Sequence, residues 1–440
     1  MKNSTEVKED NLSKIVPQRF LLPLILIISL FFMWGMVNNL NDILISQFKK
    51  AFRLSDFHSG LVQSAFYLGY FFLALPASII IRKYNYKTGI ITGLLLFAAG
   101  AFLFYPAAQN ASYGFFLLAL FVIAGGLAFL ETTANPFVTV LGSPQTATLR
   151  LNLAQAFNPV GCITGVLVGQ HFIFSGVEHS PEVLAQMSPE AIELYYKMEI
   201  RAVETPYLCI GIVVLIFTFL FAMARFPRIT EEKEDNDGKS SLINGLKKLA
   251  KAKQLKKAIV AQFFYLGAQV GIWSFLIRYI KQNIEGATDI SAANYLTWSL
   301  MALALGRFAG TYLLKYIKPD KLLTVYAIII IALVLVAVLS PTMAGVWALV
   351  ASSFFMSIMY PTIFSFGVSG LGKETKLASS VLVMAIAGGA VLTTLMGRLS
   401  DRIGITNAYL VPAFCFVVVA LFGISMNKNG KSQTTIKKTV

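Results

Sequence analysis

The sequence predicts an all-α membrane protein of 12 transmembrane helices, built as two six-helix bundles, and three observations predict it. Only 13% of the 440 residues are charged and 56% are hydrophobic, whereas a soluble domain carries roughly 25% charge. The apolar residues come in long blocks, among them 20–33, 117–130, 208–223 and 323–339, that are free of charge. Crossing a hydrocarbon core takes about 20 such residues. A hydrophilic stretch, residues 227–256, then divides the blocks into two equal groups. A soluble core built from so many blocks would leave nothing to face water.

Taken in order, the predicted spans are 20–48, 57–81, 88–107, 113–141, 149–175 and 203–225 in the first half. The second half supplies 257–282, 290–316, 321–341, 344–370, 375–399 and 405–427. Residues 1–19 form a polar tail, and the apolar run after it is too long for a secretory h-region, so it reads as a retained first span. The organisation is thus a tail (1–19), an N-terminal bundle (20–226), a linker (227–256), a C-terminal bundle (257–427) and a second tail (428–440). The linker starts acidic and ends as GLKKLAKAKQLKK, a basic segment suited to a membrane surface. Placing both termini in the cytoplasm puts most of the 37 Lys and Arg there, as the positive-inside rule requires. Parallel half-repeats are expected of such a layout, and the basic loops at 306–322 and 75–89 occupy corresponding places.

The formal charge of +15 does not mark a nucleic-acid binder, because the basic residues sit at the ends of apolar blocks, where they face anionic lipid. Cys162, Cys209 and Cys415 lie inside apolar blocks with no zinc or disulfide spacing. His58, His171 and His179 lie in or beside loops without partners at ligand spacing. No phosphate-binding loop or nucleophile–base pair is present, so the sequence predicts no enzyme, no metal and no cofactor.

In such a chain the informative residues are ionisable groups inside spans, since burying one costs at least a few kcal/mol. Two acids qualify: Asp42 in NNLNDIL and Glu131 in FLETTANPF. A carboxyl that is neutral when occluded and ionised when wet is what a proton-coupled carrier needs. The plain alternative is a structural bond to a neighbouring Asn, Thr or backbone group. Neutral polar residues surround the acids: Asn38, Asn39 and Asn41, then Thr132, Thr133 and Asn135, with Pro136 expected to disturb the helix. Asn152, Gln155 and Asn158 recur at spacings of three, along one predicted helix face. Amides that both donate and accept suit sugar hydroxyls, although helix–helix hydrogen bonding uses the same groups. In the second half Gln269 and Trp273 are four residues apart, and Tyr360 precedes Pro361. With Trp34 these supply aromatic faces for a sugar ring. Arg307 reads as a residue near the cytoplasmic end of its span that snorkels or makes a helix-end contact, and the Gly pairs at 125–126 and 388–389 read as close helix packing.

The motifs FFMWGMVNNLNDILISQF, GLVQSAFYLGYF, LETTANPFVTVLG, RLNLAQAFN, YLGAQVGIWSFLIRY, AANYLT and MSIMYPTIFSFG together resemble the bacterial L-fucose:proton symporters, the fucose permease family of the major facilitator superfamily. The loop segment MSPEAIELYYK resembles that family more than the glucose/galactose transporters. The resemblance implies one-for-one uptake of sugar and proton across the bacterial inner membrane by a functional monomer, with the proton as coupling ion. It implies that Asp42 and Glu131 couple protons. It also places Trp34, Trp273, Gln155, Asn158 and Tyr360 on the sugar pathway, beside the amides Asn38, Asn39 and Gln269 already singled out. Pro159-Val160 departs from the family, which more often has Ser and a large apolar residue there, and this leaves the sugar open. The alternatives are transport of galactose, glucose or another hexose, coupling to sodium through Asp42 and its asparagines, or a non-transporting sugar sensor.

Overall fold

The computed structural model describes residues 21–54, 56–172, 183, 186–224, 238–287 and 289–436, and the regular elements among them are all helices. In the first half these are α1 (Leu21–Ala51), α2 (Asp56–Lys83), α3 (Tyr86–Gln109), α4 (Tyr113–Val140), α5 (Ala147–Gln155), α6 (Asn158–Phe172), α7 (Pro189–Arg201) and α8 (Glu204–Met223). The linker contributes α9 (Gly238–Lys251). The second half runs through α10 (Lys253–Asn283), α11 (Asp289–Leu313), α12 (Pro319–Leu339), α13 (Met343–Met356), α14 (Met359–Val368), α15 (Thr375–Met384), α16 (Gly388–Ile403), α17 (Ile405–Ala408) and α18 (Leu410–Ile436).

Among the described residues, 9 helical stretches are long and apolar enough to cross a membrane. The other predicted crossings map onto α1, onto the broken pair α5–α6 and onto α11. Large apolar side chains point outward, for example Phe219, Leu305 and Leu339, which is 82% exposed. An aqueous surface would not tolerate so many, and a bilayer requires them.

Four predicted spans are not continuous helices, the twelfth among them, which breaks at Tyr409. The fifth breaks between Gln155 and Asn158, the tenth between Met356 and Met359, and the eleventh passes through a 3₁₀ turn at Ala385–Ala387. The first break corrects the expectation that Asn152, Gln155 and Asn158 share one face. Pro159 explains it: proline is comfortable in the first turn of a helix and not inside one, so a new helix starts at Asn158.

The helices group into two compact units. One comprises Ile25–Ala134 and Val160–Pro227; the other comprises Met1–Leu24, Asn135–Pro159 and Arg228–Val440. The contacts therefore place Asn135–Pro159 with the second half of the chain, across the predicted bundle boundary. Within the first unit, a Cβ on Gly126 would meet the Gly93 carbonyl at 2.6 Å, so α3 and α4 approach as closely as the Gly pair suggested. In the second unit a Cβ on Gly388 would overlap the Phe263 carbonyl, which fixes α16 against α10. An aromatic cluster fills the first unit, with Phe104 stacked on Tyr207 at 3.6 Å and 2°.

Helix α7 lies in the MSPEAIELYYK segment. Ser188 caps it by accepting from the Ala191 N–H at 3.2 Å, and Pro189 follows as the first helical residue. It is tied to α1 through Glu199, which is buried. Gln47 Nε2 donates to Glu199 Oε2 at 2.8 Å and to its carbonyl at 2.9 Å, and Lys50 Nζ pairs with Oε1 at 3.1 Å. The Arg53 guanidinium adds a contact 4.1 Å above the Tyr196 ring. Glu199→Ala removes the carboxylate on which Gln47 and Lys50 converge and leaves the buried Gln47 amide only the main-chain carbonyl. The expected loss is about 2 kcal/mol, read as a lowered unfolding temperature in detergent, and an unchanged temperature would show that the knot is idle.

Candidate functional site

Glu131 sits deep in α4 and is 1% exposed, with Thr132, Thr133 and Asn135 buried beside it. The Thr133 hydroxyl returns a bond to the Phe129 carbonyl at 2.5 Å, so it is satisfied within its own helix. Trp34, half-buried on α1, stacks on Phe31 at 5.7 Å and 24°. Tyr70, from α2, is buried next to Trp34 and within electrostatic reach of Glu131. The first unit thus gathers a carboxyl, a phenol and an indole at one place. Tyr70, in YLGYFF, was not singled out from the sequence. Its only signal was a hydroxyl at mid-span. The side chains of Asn38, Asn39, Asn41 and Asp42 lie outside the described residues, although α1 is helical through them.

The second unit holds the remaining amides and aromatics. Gln155 is buried at the end of α5, where its Nε2 donates to Asn135 Oδ1 at 2.8 Å. Asn152 takes the helix-packing role: its Nδ2 donates to the Thr148 carbonyl at 2.9 Å and to Thr362 Oγ1 at 3.3 Å. One turn earlier the Thr148 and Ser365 hydroxyls bond at 2.9 Å. One face of α5 is therefore laid along α14. Asn158 is half-buried at the start of α6.

Trp273 is half-buried on α10, and its Nε1 donates to Ser353 Oγ at 3.1 Å. That hydroxyl is bonded in turn to Ser299 at 3.0 Å. Gln269 lies one turn before it on the same helix and is 9% exposed. Tyr360 is buried, its ring parallel to Phe364 at 6.4 Å and 21°. The tryptophans separate into two classes. Trp298 and Trp347 are about half exposed, 52% and 49%, as membrane-interface anchors are, whereas Trp34 and Trp273 are turned inward.

Two arginines are buried on oxygen atoms of the main chain. Arg150 donates to the carbonyls of Val138, Thr139 and Ser143 and to the Thr146 hydroxyl, closing the open end of α4. Arg307 is 6% exposed. It does not snorkel, because Nε donates to the Ser357 carbonyl at 2.7 Å and Nη1 to the Gln155 carbonyl at 3.0 Å. Among the described residues no group of His, Cys, Asp and Glu is placed to hold a metal ion.

Buried neutral amides, two inward indoles and one carboxyl in apolar helices match a carrier for a neutral polar solute. Comparison with known proteins decides the family, since the Major Facilitator Superfamily model matches residues 24–378. The chain belongs to the Major Facilitator Superfamily. It is 47% identical over 405 residues to the L-fucose-proton symporter of Escherichia coli (strain K12), covering 92% of each chain. It is 35% identical to a glucose/galactose transporter of Brucella abortus, covering 91% of this chain and 93% of that one. The fold matches the crystal structure of the superfamily transporter FucP in the outward conformation, with a TM-score of 0.86 at 46% identity, over 92% of this chain and 99% of that one. The proton:xylose symporter XylE shares the fold alone, at 12% identity and a TM-score of 0.65. The fucose permease resemblance is thereby borne out, and the all-helical membrane fold with it.

Proposed function

We propose that this superfamily member is a proton-coupled symporter that carries L-fucose, or a closely related neutral hexose, into the cell by alternating access. The observation that carries the reading is Glu131: a carboxyl 1% exposed, within electrostatic reach of Tyr70, in a chain 47% identical to an L-fucose-proton symporter. Burying a carboxylate penalises its charged form, so a proton that enters with the sugar and leaves on the other side has a natural seat there. Asp42 is the second member of the coupling pair. Trp34, Trp273 and Tyr360 offer ring faces to the sugar, and Asn38, Asn39, Gln155, Asn158 and Gln269 offer amides to its hydroxyls. The protein works as a monomer in the bacterial inner membrane, with both termini in the cytoplasm. It needs no cofactor beyond the proton.

The Brucella relative, at 35% identity, supports a second reading in which the hexose is glucose or galactose. A panel of labelled sugars in proteoliposomes separates the two. With an imposed proton gradient, inside alkaline, L-fucose is expected to accumulate and to be displaced by excess unlabelled fucose more readily than by galactose or glucose. Accumulation that follows a sodium gradient and ignores pH would overturn the proton assignment. Failure of every hexose to enter would overturn the substrate class.

A further inference from the structure

Two prolines in this chain each release a main-chain carbonyl. In an α-helix the carbonyl of residue i accepts from the N–H of residue i+4, and proline has no N–H to give. Pro159 stands four residues after Gln155, and Pro361 four after Ser357. Helix α5 ends at Gln155 and α13 just before Ser357, so both carbonyls need a donor from elsewhere. One guanidinium serves both: Arg307 Nη1 reaches the Gln155 carbonyl at 3.0 Å and Nε the Ser357 carbonyl at 2.7 Å.

The same Nη1 lies 3.3 Å from the side-chain oxygen of Gln155. Arginine only donates, so Gln155 must turn its oxygen toward Arg307 and its Nε2 away. That Nε2 meets Asn135 Oδ1 at 2.8 Å, and Asn135 in turn must direct its Nδ2 onward. The Asn135 side chain is fully buried, and its Nδ2 has no acceptor among the described residues. The donors therefore run one way, from cation to amide to amide, and each bond polarises the next. A purely structural staple would need only the two main-chain oxygens. Contact with the side-chain amide is what goes beyond a staple.

We propose that Arg307 is a positioning residue for the transported sugar. By meeting the carbonyls that Pro159 and Pro361 release, it locks the Gln155 amide in a single orientation and aims the row of donors that ends at Asn135. The proposal rests on the sugar-transport reading, with Gln155 as a sugar-binding amide. It also gives Pro159 a definite consequence: Pro159 makes Gln155 dependent on Arg307.

The test uses the full-length protein in proteoliposomes, with Arg307→Lys, Pro159→Ala and the double variant. Lysine keeps the charge but lacks the fork that spans two carbonyls and an amide. Arg307→Lys is expected to raise KM for L-fucose about tenfold while the maximal rate stays within about twofold. In the Pro159→Ala background, where an N–H returns to the Gln155 carbonyl, the same change is expected to cost only about threefold. An unchanged KM, or equal losses in both backgrounds, overturns the proposal. Should Arg307→Lys not fold, Asn135→Ala takes its place, with a raised KM in support and an unchanged one against. A wild-type protein that transports no hexose sinks the transport reading instead, so the two failures are told apart.

Discussion

Replacing Glu131 with glutamine is expected to abolish sugar accumulation while sparing sugar exchange. Glutamine has the shape of a protonated glutamic acid and keeps its capacity to donate and accept, so the buried surroundings of residue 131 lose little. What it lacks is a proton to surrender. If proton release from Glu131 is the step that ties sugar movement to the gradient, the variant still binds sugar and still lets labelled and unlabelled sugar change places. It cannot convert a pH difference into a concentration difference. In proteoliposomes the accumulation ratio should fall to unity at every imposed gradient, and exchange should proceed independently of external pH. Asp42→Asn separates the roles of the two acids: lost accumulation with intact exchange would make Asp42 an equal partner. Accumulation by Glu131→Gln at the wild-type level would remove this carboxyl from the coupling step altogether.

The membrane fold was legible because its signal is coarse. Blocks of about twenty apolar residues do not need exact boundaries to be recognised, and two charge-free pairs of glycines announced helices that pack with backbones close together. The breaks inside the spans were harder. Pro159 and Pro361 were visible, but a proline in a span reads equally as a kink, a start or a stop, and only packing decides. Arg307 shows the limit most clearly. From its place in LALGRFAG it reads as a cation that snorkels or contacts a helix end, and the helix-end contact is the one found; its partners could not be named because they are not acids but carbonyls, 50 residues later and 152 residues earlier in the chain. No local pattern marks a main-chain oxygen as needing a donor except the proline four residues beyond it. The polar residues Asn152 and Gln155 stand out in the sequence, and the structure gives them different partners. Asn152 nevertheless spends its amide on Thr362, the ordinary helix-packing use of such residues, while Gln155 became part of the row built on Arg307.

The second large effect is expected at Trp273. Its indole is the one inward tryptophan of the second unit whose edge is anchored, Nε1 to Ser353 at 3.1 Å with Ser299 behind it at 3.0 Å. Two serines on neighbouring helices thus hold the ring at a set angle before any ligand arrives. A ring held in advance costs little further ordering when a sugar face settles on it, and the area covered is worth about 2 kcal/mol. Trp273→Ala should therefore weaken L-fucose binding by about thirtyfold, with the loss falling on KM and on the affinity measured by calorimetry. Trp273→Phe keeps an aromatic face but gives up the serine bond, so it should fall between the two. If phenylalanine and alanine are equally poor, the anchored edge matters more than the ring face. If Trp273→Ala binds as the wild type does, Trp273 is no part of the sugar's path, and its burial serves only the packing of α10 against α13.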